Sequence, residues 1–412
     1  MPRQSRRIGI LGGGQLGLML SESIGNLGGE AIVYDPDPEA PAVKHVRQSF
    51  NFPFSDHAAI ARFFESVDVV TYEFENVEVE PLKPLEGLKP IYPAIRVLEI
   101  CQDRIKEKRF LESADLPHAR YLSAATIEEM EEKIDDAFFP SVLKTARGGY
   151  DGKGQFFCAD KRDLEGYLQQ LKPARGDDLS VELESFIDIE MEASCIVACP
   201  ITGEPIVFPV FENIHQDHIL DLTILPARLP ESVTDKLKEL ALIAADRLDV
   251  VGLLTSEFFL SKKPPIHDNS TECDGWNIYI NEFAPRPHNS GHITRNACHM
   301  SQFQALARIL MEIPLGSPSL AATLINDKVF CMANLLGDTW LNKGAEEAEP
   351  HLELEAIGDN PHLLEIFLYG KNQARSKRKM GHFVTMADSA ELAIEAARSF
   401  KKRLAGSKIS KL

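Results

Sequence analysis

The chain has little of what a membrane-bound or secreted protein needs. None of its apolar runs approaches the roughly 20 residues that span a bilayer, although 44% of its 412 residues are hydrophobic. The opening residues, Met-Pro-Arg-Gln-Ser-Arg-Arg, lead straight into a strand-like run and lack the apolar core of a signal peptide. We therefore expect a cytoplasmic protein that has no membrane partner.

Paired cysteines are absent as well. The seven cysteines are odd in number and scattered along the chain, and no two of them are spaced as Cys-x-x-Cys. Cysteines of a disulfide framework or a zinc site recur at short, regular spacings. The sequence therefore predicts neither of these features.

Positive charge is scarce. Acidic residues number 62 against 44 basic ones, which gives a net charge of −18. A chain this acidic is repelled by nucleic acid and by anionic lipid, so we expect no nucleic-acid partner. A local cationic pocket remains compatible with the overall charge. The length predicts two to four domains with a substantial buried core.

What is present begins with strand–helix–strand alternation. Residues 7–14 read as a buried strand that runs into glycines, and an apolar-periodic helix follows at 15–27. Further strands are predicted at 31–34 and 67–72. This alternation predicts a parallel sheet with helices on both faces. Ligands of such sheets bind beyond the carboxyl ends of the strands, where residues 12–17 and 73–76 fall.

The composition changes from about residue 103 onward. Helices are predicted at 104–111, 128–136, 233–248 and 301–312, and strands at 139–144, 155–158, 179–184, 193–199, 206–211, 253–260 and 277–283. The polar stretch 262–275 is interpreted as a long hairpin loop. The last hundred residues predict a small mixed α+β domain that ends in a basic tail.

Two glycine-rich segments carry the first candidate sites. Residues 12–17 satisfy G-x-G-x-x-G after a strand, with Asp35 downstream, which is compatible with a dinucleotide, another phosphorylated ligand or a purely structural turn. Residues 148–154 form a second glycine-dense loop that carries Lys153 and follows Lys144. That loop lacks the P-loop pattern, yet it can fold over a triphosphate; a plain hairpin is the alternative.

Residues 281–292 gather an acid, an arginine, two histidines and an asparagine directly after a strand. Glu282 can hold a metal and Arg286 can bind an anion, while a solvated loop is the alternative interpretation. Glu257 lies in an otherwise apolar strand, where an unpaired carboxylate is costly. If the two strands are neighbours, both carboxylates can meet Mg²⁺; an ordinary ion pair with a lysine is the alternative.

A cationic cluster lies near the end of the acidic chain. It consists of Lys371, Arg375, Arg378, Lys379 and His382. A phosphate monoester would make the best use of such a cluster, and a solvated loop is the ordinary alternative.

Together these motifs resemble the N5-carboxyaminoimidazole ribonucleotide synthetases, a branch of the ATP-grasp superfamily in purine biosynthesis. The resemblance covers nearly the whole chain in order and rests on residues 12–17, 71–77, 148–155, 213–217, 281–292 and 378–382. It implies a multidomain α/β and α+β fold. The expected parts are a Rossmann-like pre-ATP-grasp domain with a parallel sheet (1–103), two ATP-grasp subdomains (104–185 and 186–315) and a small C-terminal α+β domain (316–412).

The resemblance also implies a reaction and a partner. ATP and bicarbonate would form carboxyphosphate, whose carboxyl group passes to the exocyclic amine of 5-aminoimidazole ribonucleotide. The products would be N5-carboxyaminoimidazole ribonucleotide, ADP and phosphate. The cofactors would be ATP and Mg²⁺, and the chain would form a homodimer.

Site residues follow from the matched motifs. The ATP site would comprise Arg104, Lys144, Gly149, Tyr150, Asp151, Gly152, Lys153, Gly154, Gln155, Glu184, Ser185, Phe186, Ile187, Glu192, His215, Asn281 and Glu282. In this site the 184–187 hinge would pair with adenine and Glu192 would bind the ribose. The metal ligands would be Glu257 and Glu282. Substrate would be bound by Gln15, Leu16, Glu73, Tyr150, Asp151, Arg286, Lys371 and Arg378. Catalysis would use Arg286, His288, Asn289 and Asp151, the last orienting the amine.

The chain departs from the family pattern in three places. Leu18 stands where an arginine is usual, the 262–275 stretch is long, and Ser376-Lys377 replaces Pro-Gly. None of these changes removes a catalytic group. The alternatives are another ATP-grasp ligase, such as a formate-dependent glycinamide ribonucleotide transformylase, a nicotinamide-dependent oxidoreductase, and a nucleotide-binding protein without catalysis.

Overall fold

The N-terminal part is a four-stranded parallel sheet. The computed structural model describes residues 6–149, 154–175, 180–263, 269–317, 322–341, 345–350, 357–358 and 360–406. The first strands and helices are β1 Arg7–Leu11, α1 Gln15–Asn26, β2 Glu30–Tyr34, β3 Gln48–Phe50, α2 His57–Ser66 and β4 Val69–Tyr72. The strand order is β3-β2-β1-β4, and all three pairings are parallel.

Alternation along β1 places the two helices on opposite faces of this sheet. Ile8 and Ile10 pack in the core that contains α1, whereas Leu11 packs with Phe63 and Phe64 of α2. Successive side chains of a strand point to opposite faces, so a fully apolar strand needs a cover on each side. The prediction of a parallel sheet with helices on both faces is confirmed.

A second, antiparallel sheet of four strands follows, in the order β5-β8-β6-β7. Its elements and the helices around it are α3 Ile95–Cys101, α4 Arg104–Ser113, β5 Tyr121–Ala124, α5 Ile127–Lys133, β6 Ser141–Thr145, β7 Gln155–Cys158, α6 Lys161–Arg175 and β8 Val181–Ser185. The core of this part is formed by Leu143 and Leu183 of the sheet against Ile127 and Leu164 of the helices.

The third sheet has ten strands and runs through the rest of the chain. Its path is β14-β15-β13-β9-β11-β12-β16-β20-β18, and β10 pairs with β9. The elements of this part of the chain are β9 Met191–Cys199, β10 Ile206–Val207, β11 Phe211–Gln216, β12 Ile219–Leu225, α7 Glu231–Arg247, β13 Gly252–Ser261, β14 Thr271–Cys273, β15 Trp276–Ala284, α8 Thr294–Ala297, α9 Gln302–Leu310, β16 Val329–Leu336, β17 Glu347–Ala348, β18 Leu363–Leu368, β19 Ala374–Arg375, β20 Lys379–Ala387 and α10 Ala390–Gly406. Of these strands, β17 and β19 pair with each other in a separate two-stranded sheet. The C-terminal strands therefore extend the same sheet, with β16 paired to β12.

Two predicted elements, the helix at 128–136 and the strand at 206–211, differ from the structure in their extent. The helix predicted at 128–136 ends at Lys133, because Asp135 caps a separate 3₁₀ turn by accepting from the Ala137 N–H. The strand predicted at 206–211 is interrupted, and Pro209, which has no N–H to donate, lies in the gap.

The 262–275 stretch is more ordered than a loop where the structure describes it. It contains β14, which pairs with β15 through Cys273 and Trp276. Asp274 and Gly275 join these strands with positive φ of 52° and 74°, as a two-residue Asp-Gly hairpin turn requires. Residues 264–268 lie outside the described part.

The cysteines and the described helices each permit one further statement. All seven cysteines fall in the described ranges and all are unpaired, so no disulfide links them. Among the described helices, none combines the length and the apolar composition needed to cross a membrane.

Candidate active site

Two adjoining cavities lie where the three sheets meet. The smaller, of about 310 Å³, lies between the N-terminal sheet and the end of β15. The larger, of about 710 Å³, lies between the four-stranded and ten-stranded sheets. Their common wall is formed by Arg104, Glu257, Glu282, His288, Asn289 and Lys379. Most of the predicted site residues that the structure describes line one cavity or both.

Glu257 and Glu282 lie directly opposite each other in the common wall. They are register partners on β13 and β15, at a bulge in the pairing, so the two strands are neighbours as the sequence argument required. Glu257 Oε1 lies 2.8 Å from His288 Nε2, and Glu282 Oε2 lies 3.0 Å from an Arg104 nitrogen. Burial raises the pKa of Glu257, but His288 outweighs it and lowers that pKa to about 2.

The walls of the smaller cavity carry an excess of negative charge. Its described lining residues include five carboxyl groups and three lysine or arginine side chains, which belong to Glu73, Glu75, Glu107, Glu257 and Glu282 and to Arg104, Arg286 and Lys379. Burial raises the pKa of Glu107 to about 8, so this group is mostly protonated near neutral pH and four carboxylates face the three cations. An anion entering this cavity therefore gains from an additional cation.

A buried charge cluster forms one end of the larger cavity. Glu184 Oε2 lies 2.6 Å from Lys144 Nζ, and Glu184 Oε1 lies 3.1 Å from Lys108 Nζ. Lys108 also donates to the Asn281 carbonyl at 3.1 Å, which links α4 to β15. Burial raises the pKa of Glu184, yet the two ammonium groups hold it well below its usual range. Sequence reasoning missed Lys108, although it lies one helical turn after Arg104 on the same face.

The hinge after β8 and a polar pair complete the larger cavity. The N–H groups of Ser185 and Phe186 donate to the carbonyls of Arg120 and Pro140, at 2.9 Å and 3.0 Å. Adenine, if it pairs with this hinge as predicted, must therefore use other groups of it. Phe186 and Phe157 are about half exposed, with ring centroids 5.2 Å apart, and they provide an apolar wall.

Glu192 and His215 stand near that wall. Glu192 Oε2 lies 3.0 Å from His215 Nδ1. Burial lowers the pKa of His215, but the hydrogen bond and charge of Glu192 outweigh burial and leave it raised. Both side chains line the larger cavity, and their contacts with a nucleotide stay predictions.

The residues after β15 present donors to the common wall. His288 Nδ1 lies 2.8 Å from the Ser290 hydroxyl, which is itself 2.8 Å from the Ser194 hydroxyl. Arg286 contacts Glu75, with 2.5 Å between the nearest nitrogen and oxygen. The Nε of Arg286 and both side-chain polar atoms of Asn289 are buried and find no partner within the described part of the chain. Buried polar groups normally have partners, so these point to a polar ligand.

The first glycine motif is held by carboxylates of its own chain. Gly14 and Gly17 N–H groups donate to the two oxygens of Glu73 at 2.5 Å and 2.6 Å, and Gly13 donates to Asp35 at 2.6 Å. These are the amides that a pyrophosphate would need. Of the three interpretations, the structural turn is therefore favoured, and the dinucleotide interpretation loses its binding groups. Gln15 and Leu16 line the smaller cavity.

The C-terminal cationic cluster is only partly brought together. Lys371 Nζ donates to Gln15 Oε1 at 3.0 Å, and burial lowers the pKa of Lys371 to about 8. Arg378 is partly exposed and donates to the Gln373 carbonyl at 2.8 Å.

Two members of that predicted cluster lie elsewhere. Arg375 is exposed and pairs with Glu347 at 2.7 Å. His382 is wholly buried against Tyr369, and burial lowers its pKa to about 3, so it is not a cation of this cluster. Including His382 was wrong, because its burial depends on strands that the local charge pattern does not reveal.

The second glycine loop is described only at its ends. Gly149 lines the smaller cavity and Gln155 the larger one. Gly154 has φ of 72°, and a Cβ there would lie 2.6 Å from Thr145 Oγ1, so glycine is required. Tyr150, Asp151, Gly152 and Lys153 lie outside the described residues, and their roles stay predictions.

Comparison with known proteins agrees with this architecture. Three family models match in order: the ribonucleotide synthetase preATP-grasp domain over residues 5–102, the ATP-grasp domain over 109–303, and the phosphoribosylaminoimidazole carboxylase C-terminal domain over 331–396. The N5-carboxyaminoimidazole ribonucleotide synthase of Bacillus subtilis is 35% identical over 382 residues, which cover 92% of this chain and 91% of that protein. The bifunctional purine synthesis protein of Dictyostelium discoideum is 36% identical over 91% of this chain, which spans 36% of that longer protein.

Solved structures extend the likeness to three dimensions. The ADP complex of an N5-carboxyaminoimidazole ribonucleotide synthetase matches with a TM-score of 0.82 at 35% identity, covering 99% of both chains. The Aspergillus clavatus N5-carboxyaminoimidazole synthase, in complex with ADP and 5-aminoimidazole ribonucleotide, matches with a TM-score of 0.81 at 26% identity. That match covers 97% of this chain and 99% of the other.

The two antiparallel sheets that enclose the larger cavity, together with the matching domain model, make this chain an ATP-grasp ligase. The parallel N-terminal sheet and the C-terminal strands match the two accessory domain models that flank it. The chain belongs to the N5-carboxyaminoimidazole ribonucleotide synthase family. The predicted fold class and family are thereby confirmed.

Proposed function

We propose that this chain carboxylates 5-aminoimidazole ribonucleotide with bicarbonate at the expense of ATP. Its relatives are named for the carboxylated product, and one solved relative is in complex with ADP and 5-aminoimidazole ribonucleotide. The observation that carries the proposal is the common wall of the two cavities. A nucleotide in the larger cavity and a second substrate in the smaller one meet only across Glu257, Glu282 and the residues beside them. This arrangement suits transfer of a phosphoryl group from one cavity to an acceptor in the other.

The proposed chemistry has two steps. A bicarbonate oxygen attacks the γ-phosphorus of ATP, which releases ADP and forms carboxyphosphate. The exocyclic amine of the ribonucleotide then attacks the carboxyl carbon, phosphate leaves, and the amine loses a proton. Asp151 is the proposed residue that orients this amine and accepts the proton.

Arg286, His288 and Asn289 are proposed to surround the bicarbonate and the carboxyphosphate. The Arg286 Nε and the Asn289 amide are buried donors that find no partner among the residues described. Donors fixed in advance stabilise charge that develops during phosphoryl transfer without reorganising. The predicted catalytic roles rest on this geometry.

The wall residues also fit Mg²⁺. Magnesium in nucleotide enzymes is held by one or two carboxylates, while phosphates and waters complete its ligands. Glu257 and Glu282 offer two carboxylates, and the buried Asn281 Oδ1 beside them lacks a partner in the described ranges. When bound, the ion would offset the negative charge of the cavity and neutralise the ATP phosphates. The protein's own part at Glu257 is to hold that carboxylate ionised, as its lowered pKa indicates.

The ribonucleotide is proposed to lie in the smaller cavity, with its phosphate near Lys371 and Arg378. Lys371 reaches Gln15 at 3.0 Å, so the C-terminal cation lies beside the N-terminal residue that lines this cavity.

A homodimer and a cytoplasmic location are further parts of the proposal. Light scattering of the purified protein tests the first, and cell fractionation tests the second.

The decisive experiment measures ADP release from MgATP at constant bicarbonate, with and without 5-aminoimidazole ribonucleotide. We expect release to depend on the ribonucleotide and to fall at least about 100-fold in Glu282→Gln, because the variant loses a metal ligand. Glu395→Gln, on the exposed face of α10, is the matched control. Stimulation by formate with glycinamide ribonucleotide instead would keep the fold and reject the substrate.

A further inference from the structure

Arg286 is held by a carboxylate from a different part of the chain. Arg286 follows β15 of the ten-stranded sheet, whereas Glu75 follows β4 of the N-terminal parallel sheet. Their nearest nitrogen and oxygen are 2.5 Å apart, and both side chains are about one-fifth exposed. Both also line the smaller cavity. The ion pair therefore lies inside the candidate site and joins the two halves that enclose it.

The backbone that carries Glu75 is itself fixed. Gln102, directly after α3, donates its side-chain amide to the carbonyls of Glu75 and Val77, the latter at 2.7 Å. One amide group thus holds two carbonyls of the segment after β4. A carboxylate on a clamped backbone can fix its partner's orientation at a small entropic cost.

The hydrogen bonds of Arg286 leave one edge of the guanidinium for a ligand. One terminal nitrogen meets Glu75, and the other donates to the Pro287 carbonyl at 2.8 Å. The buried Nε has no partner within the ranges that the structure describes. A guanidinium is a rigid planar fork, so fixing its two terminal nitrogens also fixes where Nε–H points.

We infer that Glu75 is a positioning residue for the bicarbonate step, which aims Arg286 at the anion from across the domain junction. This inference rests on the proposed function, since it takes Arg286 to bind bicarbonate or carboxyphosphate. Glu75 does not touch the reacting atoms; it acts through Arg286. The N-terminal sheet thereby contributes to phosphoryl transfer as well as to holding the ribonucleotide.

The negative charge of Glu75 disfavours binding of the anion, whereas its hydrogen bond orients Arg286 and favours that binding. Two variants separate these effects. Removing the Glu75 carboxylate reduces the negative charge of the cavity, which by itself favours an anion. Glu75→Ala and Glu75→Gln both remove that charge, but the glutamine carbonyl still accepts the Arg286 hydrogen. The ratio between the two variants therefore isolates the orienting hydrogen bond.

The experiment compares kcat/KM for bicarbonate at saturating ATP and ribonucleotide. We expect Glu75→Gln to exceed Glu75→Ala by about tenfold or more, which is the effect of losing a hydrogen bond to a charged group that orients a reactant. ATP affinity, measured by calorimetry, should stay within about twofold in both variants, because neither changes the larger cavity.

Two control variants decide between explanations. Glu22→Gln weakens another ion pair between the N-terminal part and the ATP-grasp part, in which Glu22 lies 3.2 Å from Arg295. The two side chains are about as exposed as Glu75 and Arg286, and neither lines either cavity. The inference is overturned if Glu75→Ala and Glu75→Gln have equal bicarbonate kcat/KM, or if Glu75→Ala weakens ATP binding as much as it weakens use of bicarbonate. Arg286→Ala tests the underlying proposal: unchanged bicarbonate dependence in that variant would refute the role of Arg286 itself.

Discussion

Replacing Lys108 by methionine tests the buried charge cluster behind the larger cavity. Lys108 is 1% exposed, and its ammonium lies 3.1 Å from Glu184 and donates to the Asn281 carbonyl. Methionine keeps the apolar stem, but it removes one of the two ammonium groups that contact Glu184 and leaves the Asn281 carbonyl without its donor. Removing one partner of a buried ion pair costs about 3–5 kcal/mol, because the remaining charge stays desolvated.

A loss of that size lowers the melting temperature by about 10 °C for a unit of ATP-grasp size, since each kcal/mol shifts it by roughly 2–4 °C. Calorimetry measures this shift. Lys106→Met is the matched control: it changes an exposed lysine on the same helix, and its effect should stay within about 0.5 kcal/mol. We also expect a higher KM for ATP in Lys108→Met, because Glu184 then holds Lys144 more tightly and away from the nucleotide that we propose it binds. Equal melting temperatures for the two variants would refute the reasoning and show that Lys144 satisfies Glu184 alone.

The remaining predictions concern the predicted phosphate-binding lysine and two glycines of the N-terminal part. Because burial lowers the pKa of Lys371 to about 8, its charge is present below that pH and lost above it; KM for the ribonucleotide should rise about tenfold per pH unit above 8. Steady-state kinetics from neutral to alkaline pH should show this rise, and Lys371→Arg should abolish it. Gly12→Ala should destabilise the protein by about 2 kcal/mol or more, because φ is +104° and a Cβ would lie 2.7 Å from a Phe74 ring carbon. Gly25→Ala, in α1 with nothing within 4 Å of a Cβ, should instead stabilise it by roughly 0.5–1 kcal/mol in thermal melts.

Much of the fold was predictable because it depends on hydrophobic patterns among residues that are close together in the sequence. Continuous apolar runs marked the buried strands of the parallel sheet, and helical periodicity marked α1 and α9. The opposed carboxylates were predictable for a similar reason: Glu257 stood out in an apolar strand, Glu282 opened a polar run at the end of another, and only the short β14 lies between these two strands along the chain. The Asp274-Gly275 turn carried an equally local signal, which predicts the hairpin that the loop interpretation missed.

The features that the sequence did not predict depend on contacts between segments that are distant along the chain. Nothing near Glu75 in sequence shows that it meets Arg286, and nothing near Glu73 shows that it occupies the amides of the glycine motif. His382 likewise follows a run of cations, yet tertiary packing removes it from water. Charge patterns along a chain report composition, whereas burial and pairing are decided by the sheet on which each residue lies.

The continuity of the ten-stranded sheet has a consequence for how this chain can be divided. The matched ATP-grasp model ends at residue 303 and the matched C-terminal model begins at residue 331, which places a domain border between them. The hydrogen bonds of the sheet nevertheless cross this border, because β12 pairs with β16. A fragment that ends at that border would carry β12 as a bare edge, with unpaired N–H and C=O groups beside the apolar Leu222 and Ile224. Such an edge recruits other chains. The C-terminal segment therefore acts as a protective flank for the nucleotide-binding half, and it cannot be exchanged as a free-standing module.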